Sequence, residues 1–576
     1  MKEGATILGR PRLERSLATL ALALIAGSAL LRLWVSRALP ITGDEAYHWV
    51  WTRHLDWGYY DHPPLTAWLI WLATRLFGEG LVAVRLVAVV SGAAAALALF
   101  ALARRLFGSA RAGLWSAALL IFAPVFAGLA LLITTDPPLV ASWALFLYLA
   151  WRAADDGRAH WWVLSGLALG LAILSKLIGL LLVPSFGLFL LFSRRHRRWL
   201  ARPQPYLALL IGLAMTLPFL LWNAQHGWAT FLFHLELRHE KRGLALDKFV
   251  LFWVGQLVVL SPLLFLALVG GAARAWRWRA SAASGASALG QTSPLLRLPE
   301  TQADHPLSAR GEGKGGVRLS GRAQGDSPNS RQWNGARHDP RGLFLLCFAL
   351  PLLFFTLSSL YTEVGAHWPA VGFLSLIVAA SAPLGAGRWT AGYRRLRAWG
   401  LATAALMTAL CFVLLASPGL VRHLVKPKTA DKLLAEYAGW QELATRVARV
   451  KEEMSRAGPV FLTTPSYSLS SRLTYYLPGH PHVTVIGPGS PHGQNYAFWD
   501  DFEARLGEDA LFVMKWSPDD RPEIMAYLQP AFARIEADAP VARRYRGRVV
   551  GHFYLLRCYR FRGITWQERL RPSRRP

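Results

Sequence analysis

An apolar run at residues 17–36 constrains the fold of this chain more than any other feature. It has the roughly 20 residues that an α-helix needs to cross the hydrocarbon core of a bilayer. Its one charged residue, Arg32, lies near the end of the run, where a long side chain can reach the interface. Three arginines precede the run and no small-residue cleavage site follows it. The sequence therefore predicts a retained membrane anchor whose N-terminus stays in the cytoplasm.

Further apolar runs follow, so the chain is predicted to be a polytopic α-helical membrane protein with about eleven transmembrane helices. The composition agrees, because 53% of the 576 residues are hydrophobic and only 17% are charged. The two runs on either side of Lys176 are interpreted as a tight hairpin. The further runs lie at roughly 81–103, 112–130, 138–151, 161–175, 177–192, 205–222, 248–270, 343–360, 367–385 and 400–417.

The net charge of +28 is distributed in a way that sets membrane orientation. Basic clusters, such as those at residues 194–198 and 394–397, fall in alternate loops, which are predicted to be cytoplasmic. The acidic residues Asp44, Asp61 and Asp136 fall in the loops on the other side. Because the sequence contains no nucleic-acid recognition module, nucleic acid is not expected as a partner.

Two segments depart from the membrane pattern. Residues 280–341 are rich in Ser, Gly, Pro and Arg without a hydrophobic period, which predicts a disordered cytoplasmic insertion. After residue 420, a helical pattern over Asp431–Ala457 precedes short β-prone runs at residues 460–462, 483–486 and 510–514. The prediction is a transmembrane domain over residues 1–420 and an outward-facing α/β domain over residues 421–576.

The first outer loop, residues 40–64, concentrates carboxylates and aromatic rings directly after the first predicted span. Residues 42–49 are TGDEAYHW and residues 60–65 are YDHPPL. Asp44 and Glu45 offer a general base, and the aromatic rings offer stacking surfaces for a sugar. The alternative interpretation is that the two carboxylates cap the next helix, with Gly43 turning the chain.

Two cations in or beside apolar runs are candidate phosphate ligands. Lys176 separates two runs on the predicted outer side, and Arg85 lies near the outer end of its run. Charge at a bilayer is costly, which favours a functional role for Lys176, and the guanidinium fork of Arg85 suits phosphate oxygens. The alternatives are that Lys176 snorkels to the interface and that Arg85 anchors a helix end. The histidines show none of the strong zinc spacings, so metal binding is left open.

Several motifs together resemble the bacterial branch of glycosyltransferase family 39. They are Gly43–Glu45, the turn at Asp61–Leu65, Arg85–Leu86 and residues 104–108 and 134–139. The similarity covers roughly residues 15–420, and residues 475–479 and 494–499 resemble the terminal domain of bacterial members. The family includes protein O-mannosyltransferases and lipid A aminoarabinose transferases, and it has the GT-C membrane fold.

The resemblance implies an enzyme of the bacterial inner membrane whose active site and C-terminal α/β domain lie in the periplasm. Such an enzyme moves a sugar from a polyprenyl-phosphate donor to a hydroxyl of lipid A, another surface glycan or a protein. Asp44 would act at the reaction centre with Glu45 beside it. Asp61 and His62 stand where the aminoarabinose transferases have Glu-Lys. The residues expected at the donor site are Asp61, His62, Arg85, Asp136 and Lys176.

In the expected reaction, the acceptor hydroxyl is deprotonated or oriented by Asp44 and attacks the anomeric carbon in line with the departing phosphate. A single displacement inverts the anomeric centre. The sequence has no soluble nucleotide-sugar domain, which argues against a nucleotide-sugar donor. It identifies no certain cofactor, although a divalent cation is compatible with this chemistry.

Two other classes of function remain open from the sequence. In a transporter or flippase of lipid-linked sugars, Arg85 and Lys176 would line a pathway, but the expected repeat symmetry is not found. A catalytically silent scaffold that presents the terminal domain would leave the 40–64 loop unexplained.

Overall fold

The structure, a computed structural model, describes residues 4–237, 244–280, 340–384, 388–488 and 493–564. Within these ranges the chain forms a large helical part followed by a C-terminal domain built on one sheet. Nearly all of the segment predicted to be disordered, residues 280–341, lies outside the described residues.

The helical part contains most of the described helices. They are α1 (Gly4–Ser36), α2 (Gly43–Trp51), α3 (Leu65–Phe77), α4 (Leu81–Phe107), α5 (Ala110–Phe122), α6 (Pro124–Leu129), α7 (Asp136–Asp156), α8 (Ala159–Ser175), α9 (Leu182–Phe192), α10 (Pro203–Gln225), α11 (Ala229–Leu232), α12 (Leu246–Leu260), α13 (Pro262–Ala280), α14 (Pro340–Cys347), α15 (Leu350–Ser358), α16 (Ala370–Ser381) and α17 (Arg388–Ala416).

Five stretches of described helix are long and apolar enough to cross a membrane. A sixth is formed if α12 and α13, which are bent by 101° at their junction, count as one span. Other apolar helices are shorter than a full crossing, and the run at 112–130 is divided at Pro124 into α5 and α6. The total of eleven transmembrane helices therefore remains a prediction. The five long stretches are Pro11–Ser36, Leu81–Phe107, Pro203–Gln225, Pro340–Ser358 and Thr390–Ala416.

Small residues bring neighbouring helices of the bundle into close contact. A Cβ added at Gly166 of α8 would lie 2.5 Å from the carbonyl oxygen of Ala208 in α10. Without side chains between them, the two backbones approach closely, which is how apolar helices gain packing energy in a lipid environment. Helix α8 ends at Ser175, and Lys176 follows in an extended conformation.

The C-terminal domain begins with two helices, α18 (Pro427–Ala435) and α19 (Trp440–Ser455). The single helical stretch predicted over Asp431–Ala457 is therefore wrong, because Gly439 adopts a positive φ of 81° and the chain turns there. The remaining helices are α20 (Tyr467–Tyr476), α21 (Asn495–Trp499) and α22 (Pro522–Ala531).

The sheet has the strand order β2-β1-β3-β6-β4, with β5 paired to β6. Strands β1, β2 and β3 are parallel to one another and lie at the three β-prone runs of the sequence, whereas β6 is antiparallel to its neighbours. The strands are β1 (Val460–Thr464), β2 (Val483–Val485), β3 (Asp509–Met514), β4 (Phe532–Ala537), β5 (Val541–Tyr545) and β6 (Arg548–Phe561).

Successive residues of the central strands point to opposite faces of the sheet, so both faces are covered. Leu462 and Val513 pack with residues of α19 and α20, whereas Phe461 and Phe512 pack with residues of α22. The domain therefore has helices on both sides of its sheet.

The sheet domain contacts the helical part through α2, which packs against α20. A Cβ added at Gly43 would lie 1.8 Å from the hydroxyl oxygen of Ser468. Gly43 therefore permits a close approach between the first outer loop and the sheet domain.

Candidate active site

The first outer loop places two neighbouring carboxylates in different environments. Thr42 caps the N-terminus of α2, because its hydroxyl accepts a hydrogen bond from the backbone N–H of Glu45 at 3.3 Å. The backbone N–H of Thr42 donates to the Glu45 carboxylate at 3.0 Å. This reciprocal pair is a capping box. The capping interpretation therefore applies to Glu45, whereas Asp44 is exposed.

Glu45 and Arg85 form a buried ion pair. The guanidinium Nε and Nη2 of Arg85 each lie 2.7 Å from a carboxylate oxygen of Glu45, and both side chains are fully buried. The remaining donors of Arg85 bond to the backbone carbonyls of Ser36, Leu39 and Pro40. The geometry does not support the predicted contact of Glu45 or Arg85 with substrate, because each is enclosed by partners that join α1, α2 and α4. We assign both a positioning role.

Replacing Arg85 with lysine tests this assignment. Lysine keeps the charge but loses the planar fork, so several of the carbonyls at the end of α1 lose their donors. We expect the free energy of unfolding to fall by about 1–3 kcal/mol, seen as a lower melting temperature in detergent. A variant that has the melting temperature of the wild type but binds the donor poorly would show instead that Arg85 binds the donor phosphate.

Asp44 reaches the sheet domain through one of its two oxygens. Its Oδ1 accepts a hydrogen bond from the hydroxyl of Tyr467 at 3.0 Å, across 423 residues of sequence. Burial, followed by the charge of Asp44, raises the pKa of Tyr467, so this hydroxyl remains a donor. Within the described residues, Oδ2 has no hydrogen bond. Asp44 is therefore oriented by one oxygen and presents the other.

Lys176 and Asp136 form a second buried ion pair. The ammonium of Lys176 lies 2.8 and 2.9 Å from the two carboxylate oxygens of Asp136, and each residue is 5% exposed. The Nε2 of His367 lies 3.6 Å from the same carboxylate. The snorkelling alternative for Lys176 is wrong, because its ammonium is buried and paired instead of reaching water.

His48 lies beside both acidic centres. Its Nδ1–H donates to the backbone carbonyl of Asp44 at 2.7 Å, and its ring is 6% exposed. Burial lowers the pKa of His48, while the charges of Asp44 and Asp136 oppose that shift. The imidazole is therefore neutral near neutral pH, with Nε2 as a hydrogen-bond acceptor. This Nε2 is buried without a hydrogen-bond partner in the part of the chain that the structure describes.

Asp61 joins the first outer loop to the sheet domain. Its carboxylate accepts hydrogen bonds from the hydroxyl of Tyr47 at 2.6 Å and from the backbone N–H of Gly493 at 3.2 Å. Its backbone carbonyl accepts one from Nε2–H of His234 at 2.9 Å. These contacts give Asp61 a structural role beside the site, in addition to any contact with the donor.

His62 lies between two other imidazoles. Its ring centroid is 6.5 Å from that of His48 and 5.6 Å from that of His234. The predicted residues Asp44, His62, Asp136 and Lys176 thus lie around His48. Among the described residues, no group of three or more His, Cys, Asp or Glu side chains is arranged to hold a metal ion.

Three residues of this region are not among those predicted from the sequence: His48, Tyr467 and His367. His48 and His367 are two of the sixteen histidines of the chain, and no spacing in the sequence distinguishes them from the others. Tyr467 carries no signal in the sequence, because its contact with Asp44 depends on how the sheet domain packs.

Comparisons with known proteins agree with one another. Residues 61–222 match the family model described as dolichyl-phosphate-mannose-protein mannosyltransferase. The undecaprenyl phosphate-alpha-4-amino-4-deoxy-L-arabinose arabinosyl transferase of Pseudomonas aeruginosa (strain UCBPP-PA14) is 30% identical over 417 residues. That match covers 70% of this chain and 73% of the relative.

A second relative is the lipid A galacturonosyltransferase RgtD of Rhizobium johnstonii, which is 31% identical over 238 residues. That match covers 41% of this chain and half the length of the relative. The match to the arabinosyl transferase of Pseudomonas paraeruginosa covers 38% of that relative.

Among solved structures, ArnT from Cupriavidus metallidurans bound to undecaprenyl phosphate is similar, with a TM-score of 0.54 and 17% sequence identity. The superposition covers 93% of this chain and 97% of that one. At this identity the likeness shows a shared fold, that of a multi-pass membrane protein with a C-terminal sheet domain.

Proposed function

This chain belongs to glycosyltransferase family 39, with the GT-C membrane fold, and we propose that it is a membrane enzyme that moves a sugar from a polyprenyl-phosphate donor to an acceptor hydroxyl. The resemblance found in the sequence is thereby confirmed. The relatives named above are lipid A and arabinosyl transferases, which favours lipid A as the acceptor over other surface glycans and proteins. The observation that carries the proposal is the exposed Asp44 beside the buried Lys176–Asp136 pair, with His48 between them.

In this proposal, Asp44 is the general base that accepts the proton of the acceptor hydroxyl. Its Oδ2 is available to accept the proton of the attacking hydroxyl, while Tyr467 holds Oδ1. Because the carboxylate is exposed and oriented, a hydroxyl can approach it without displacing an ion pair. The geometry therefore suits a general base.

In this proposal, Lys176 stabilises the negative charge of the departing phosphate. An ammonium has three N–H donors, and the contacts with Asp136 use two of them. The third is available to a phosphate oxygen of the donor. Negative charge grows on that oxygen as the glycosidic bond breaks, so a fixed buried ammonium stabilises the transition state more than the ground state.

His48 contacts the sugar between these two groups. In its neutral form Nε2 accepts a hydrogen bond, and a hydroxyl of the transferred sugar is the donor that suits it. The bond to the Asp44 carbonyl fixes the ring, so His48 orients the sugar relative to the base. This role explains a buried acceptor that the described part of the protein leaves unsatisfied.

The proposed step balances as a single displacement. The acceptor oxygen forms a bond to the anomeric carbon, its proton passes to Asp44, and the bond from the anomeric carbon to the phosphate oxygen breaks. The products are the glycosylated acceptor, with an inverted anomeric centre, and the polyprenyl phosphate.

Incubation of the purified protein with radiolabelled undecaprenyl-phosphate sugars and lipid A tests the proposal. The expected result is transfer of the label to lipid A and release of undecaprenyl phosphate, with the product anomer opposite to that of the donor. Movement of the labelled lipid across a vesicle membrane without transfer would instead identify a transporter. The absence of both activities across the donor panel would contradict an enzymatic role.

We also infer that the protein lies in a bacterial inner membrane, with its N-terminus in the cytoplasm and with the active site and sheet domain in the periplasm. Support comes from α4, which carries Arg85 near its start, beside the site, and Arg104 and Arg105 in its last turn. Basic residues favour the cytoplasmic side of the membrane. The site end of α4 then faces outward.

Cysteine labelling tests this orientation. In a variant without Cys347, Cys411 and Cys558, a cysteine replacing the exposed Ala504 of the sheet domain should react with an impermeant maleimide added to spheroplasts. A cysteine replacing the exposed Arg198 should react only after the membrane is permeabilised. The reverse pattern would place the active site in the cytoplasm.

A further inference from the structure

Two segments that lie far apart in the sequence form one strongly basic surface of the sheet domain. The first, residues 418–433, leads from α17 into the sheet domain and includes most of α18. The second, residues 544–549, contains the turn between β5 and β6. Together they contain seven lysines and arginines but only one acidic residue, Asp431. We call the surface formed by these two segments the basic ridge.

Direct contacts hold the two segments of the basic ridge together. The hydroxyl of Tyr545 accepts a hydrogen bond from the backbone N–H of Gly419 at 3.1 Å. The carboxylate of Asp431 lies between two guanidinium groups, 3.6 Å from that of Arg422 and 3.5 Å from that of Arg548. One carboxylate cannot neutralise seven cations, so the surface keeps a large positive charge.

Most cations of the basic ridge are available to an external anion. Lys426, Lys428 and Lys432 are exposed, and they have no hydrogen bond or ion pair with any residue that the structure describes. Arg544 and Arg546 are also exposed. Because like charges on one surface repel one another, contacts within the protein do not explain why these residues are grouped.

The basic ridge begins where the chain leaves the membrane. The stretch Thr390–Ala416, which is long and apolar enough to cross a bilayer, ends two residues before Pro418. Large apolar side chains follow at the surface, and Leu424 is 64% exposed. Such a combination of exposed leucines and lysines is typical of a segment in the bilayer interface, where apolar side chains enter the lipid and cations lie among the headgroups.

Membrane topology does not account for the charge of the basic ridge. In the orientation proposed above, the beginning of α17, with Arg394 and Arg395, is cytoplasmic, and the ridge therefore lies on the periplasmic side. Basic residues next to a membrane span are disfavoured on that side. Their presence there points to an anion that they bind.

We propose that the basic ridge binds the anionic headgroups of membrane lipids, such as phosphatidylglycerol, and thereby holds the sheet domain against the bilayer. Charge and position both support this partner, because lipid phosphates lie at the level where the chain leaves the membrane. Each lysine or arginine near an anionic bilayer surface strengthens the attraction by about fivefold. The inference concerns the contact of the sheet domain with lipid, and it does not depend on the reaction proposed above.

Fluorescence quenching in nanodiscs tests the proposal with the full-length protein. In the variant without native cysteines, a cysteine replaces the exposed Leu424 and carries a bimane label. The nanodiscs consist of phosphatidylcholine with a small fraction of nitroxide-labelled lipid, either phosphatidylglycerol or phosphatidylcholine. We expect the anionic lipid to quench at least about threefold more strongly than the zwitterionic lipid. The difference should disappear in about 1 M salt, where the Debye length falls to about 3 Å.

Charge reversal identifies the residues responsible. Lys426→Glu/Lys428→Glu should remove the preference for the anionic lipid. Lys428 lies in the first turn of α18, where a carboxylate suits the helix dipole, so the melting temperature should remain that of the wild type. Arg560→Glu/Arg562→Glu is the matched control, because it reverses two exposed arginines at the far end of β6, about 40 Å along the strand from Arg548. This control should keep the preference.

A second variant tests the other segment of the basic ridge. Arg544→Glu/Arg546→Glu leaves residues 418–433 unchanged, yet it should also reduce the preference, because the two segments form one surface. Equal quenching by the two labelled lipids in the wild type would overturn the proposal, whether that quenching is strong or weak. An equal loss of preference in the Arg560→Glu/Arg562→Glu control would overturn it as well, since net charge and not the basic ridge would then be responsible.

Discussion

Replacing Asp44 with asparagine is expected to lower the rate of sugar transfer by about 100-fold to 10,000-fold, the usual contribution of a general base. Asparagine has nearly the same shape and can still accept the hydrogen bond from Tyr467 at 3.0 Å. It cannot take a proton from the acceptor hydroxyl. Expression, membrane insertion and the melting temperature should therefore be unchanged, while single-turnover kinetics with a labelled donor show the loss.

Asp56→Asn is the matched control for this variant. Asp56 is an exposed carboxylate in the same outer loop, and its Oδ2 accepts a hydrogen bond from the indole of Trp222 at 2.7 Å, which an amide oxygen can also accept. We expect its rate to remain within about twofold of the wild type, since it has no role in proton transfer. Near-normal turnover by Asp44→Asn would instead move the reaction centre to Asp136 or Asp61.

Hydropathy predicts much of the helical part, because insertion of a helix into a membrane depends on the apolar content of a single stretch of sequence. A run of about 20 apolar residues specifies a helix whatever it packs against. The structure of a shorter apolar run depends on its packing. Examples are the division of residues 112–130 at Pro124 and the bend of 101° between α12 and α13. The number of crossings is therefore less well determined by the sequence than the positions of the helices.

The candidate site was predicted in part, because its residues are recognisable one by one but their partners are not. Asp136 and Lys176 both stand out as charges beside apolar runs, yet nothing in the sequence pairs two residues 40 positions apart. The same holds for Glu45 and Arg85, whose predicted direct roles give way to a buried ion pair. A charge in an apolar segment predicts importance, while its role depends on which helix lies opposite.

The sheet domain, like the candidate site, is predicted only in part from the sequence. Strands β1 and β3 carry apolar residues on both faces, and β2 is the short run Val483–Val485, so all three are predicted from their composition. Strand β6 carries Arg548, Arg557 and Arg560 among its apolar residues, so its 14 residues do not stand out as an apolar run. The contact of Tyr467 with Asp44 lies beyond sequence reasoning, because it requires the packing of α20 against α2.

Replacing Lys176 with methionine is expected to lower the rate of transfer by about 100-fold to 1,000-fold, as when one preorganised donor to a developing anion is removed. Donor binding should weaken less than the rate, since charge on the phosphate grows in the transition state. Lys176→Arg should retain part of the activity, limited by the different geometry of the guanidinium. Single-turnover rates and donor Kd values for the two variants give this comparison.

The buried pair requires one further variant, because Lys176→Met also leaves the Asp136 carboxylate without its partner. Removing one member of a buried pair costs about 3–5 kcal/mol of stability, so a loss of activity could follow from distortion alone. The double variant Lys176→Met/Asp136→Asn removes the unpaired charge and should recover the melting temperature without recovering the rate. If the double variant instead recovers both, Lys176 holds the structure and does not stabilise the leaving phosphate.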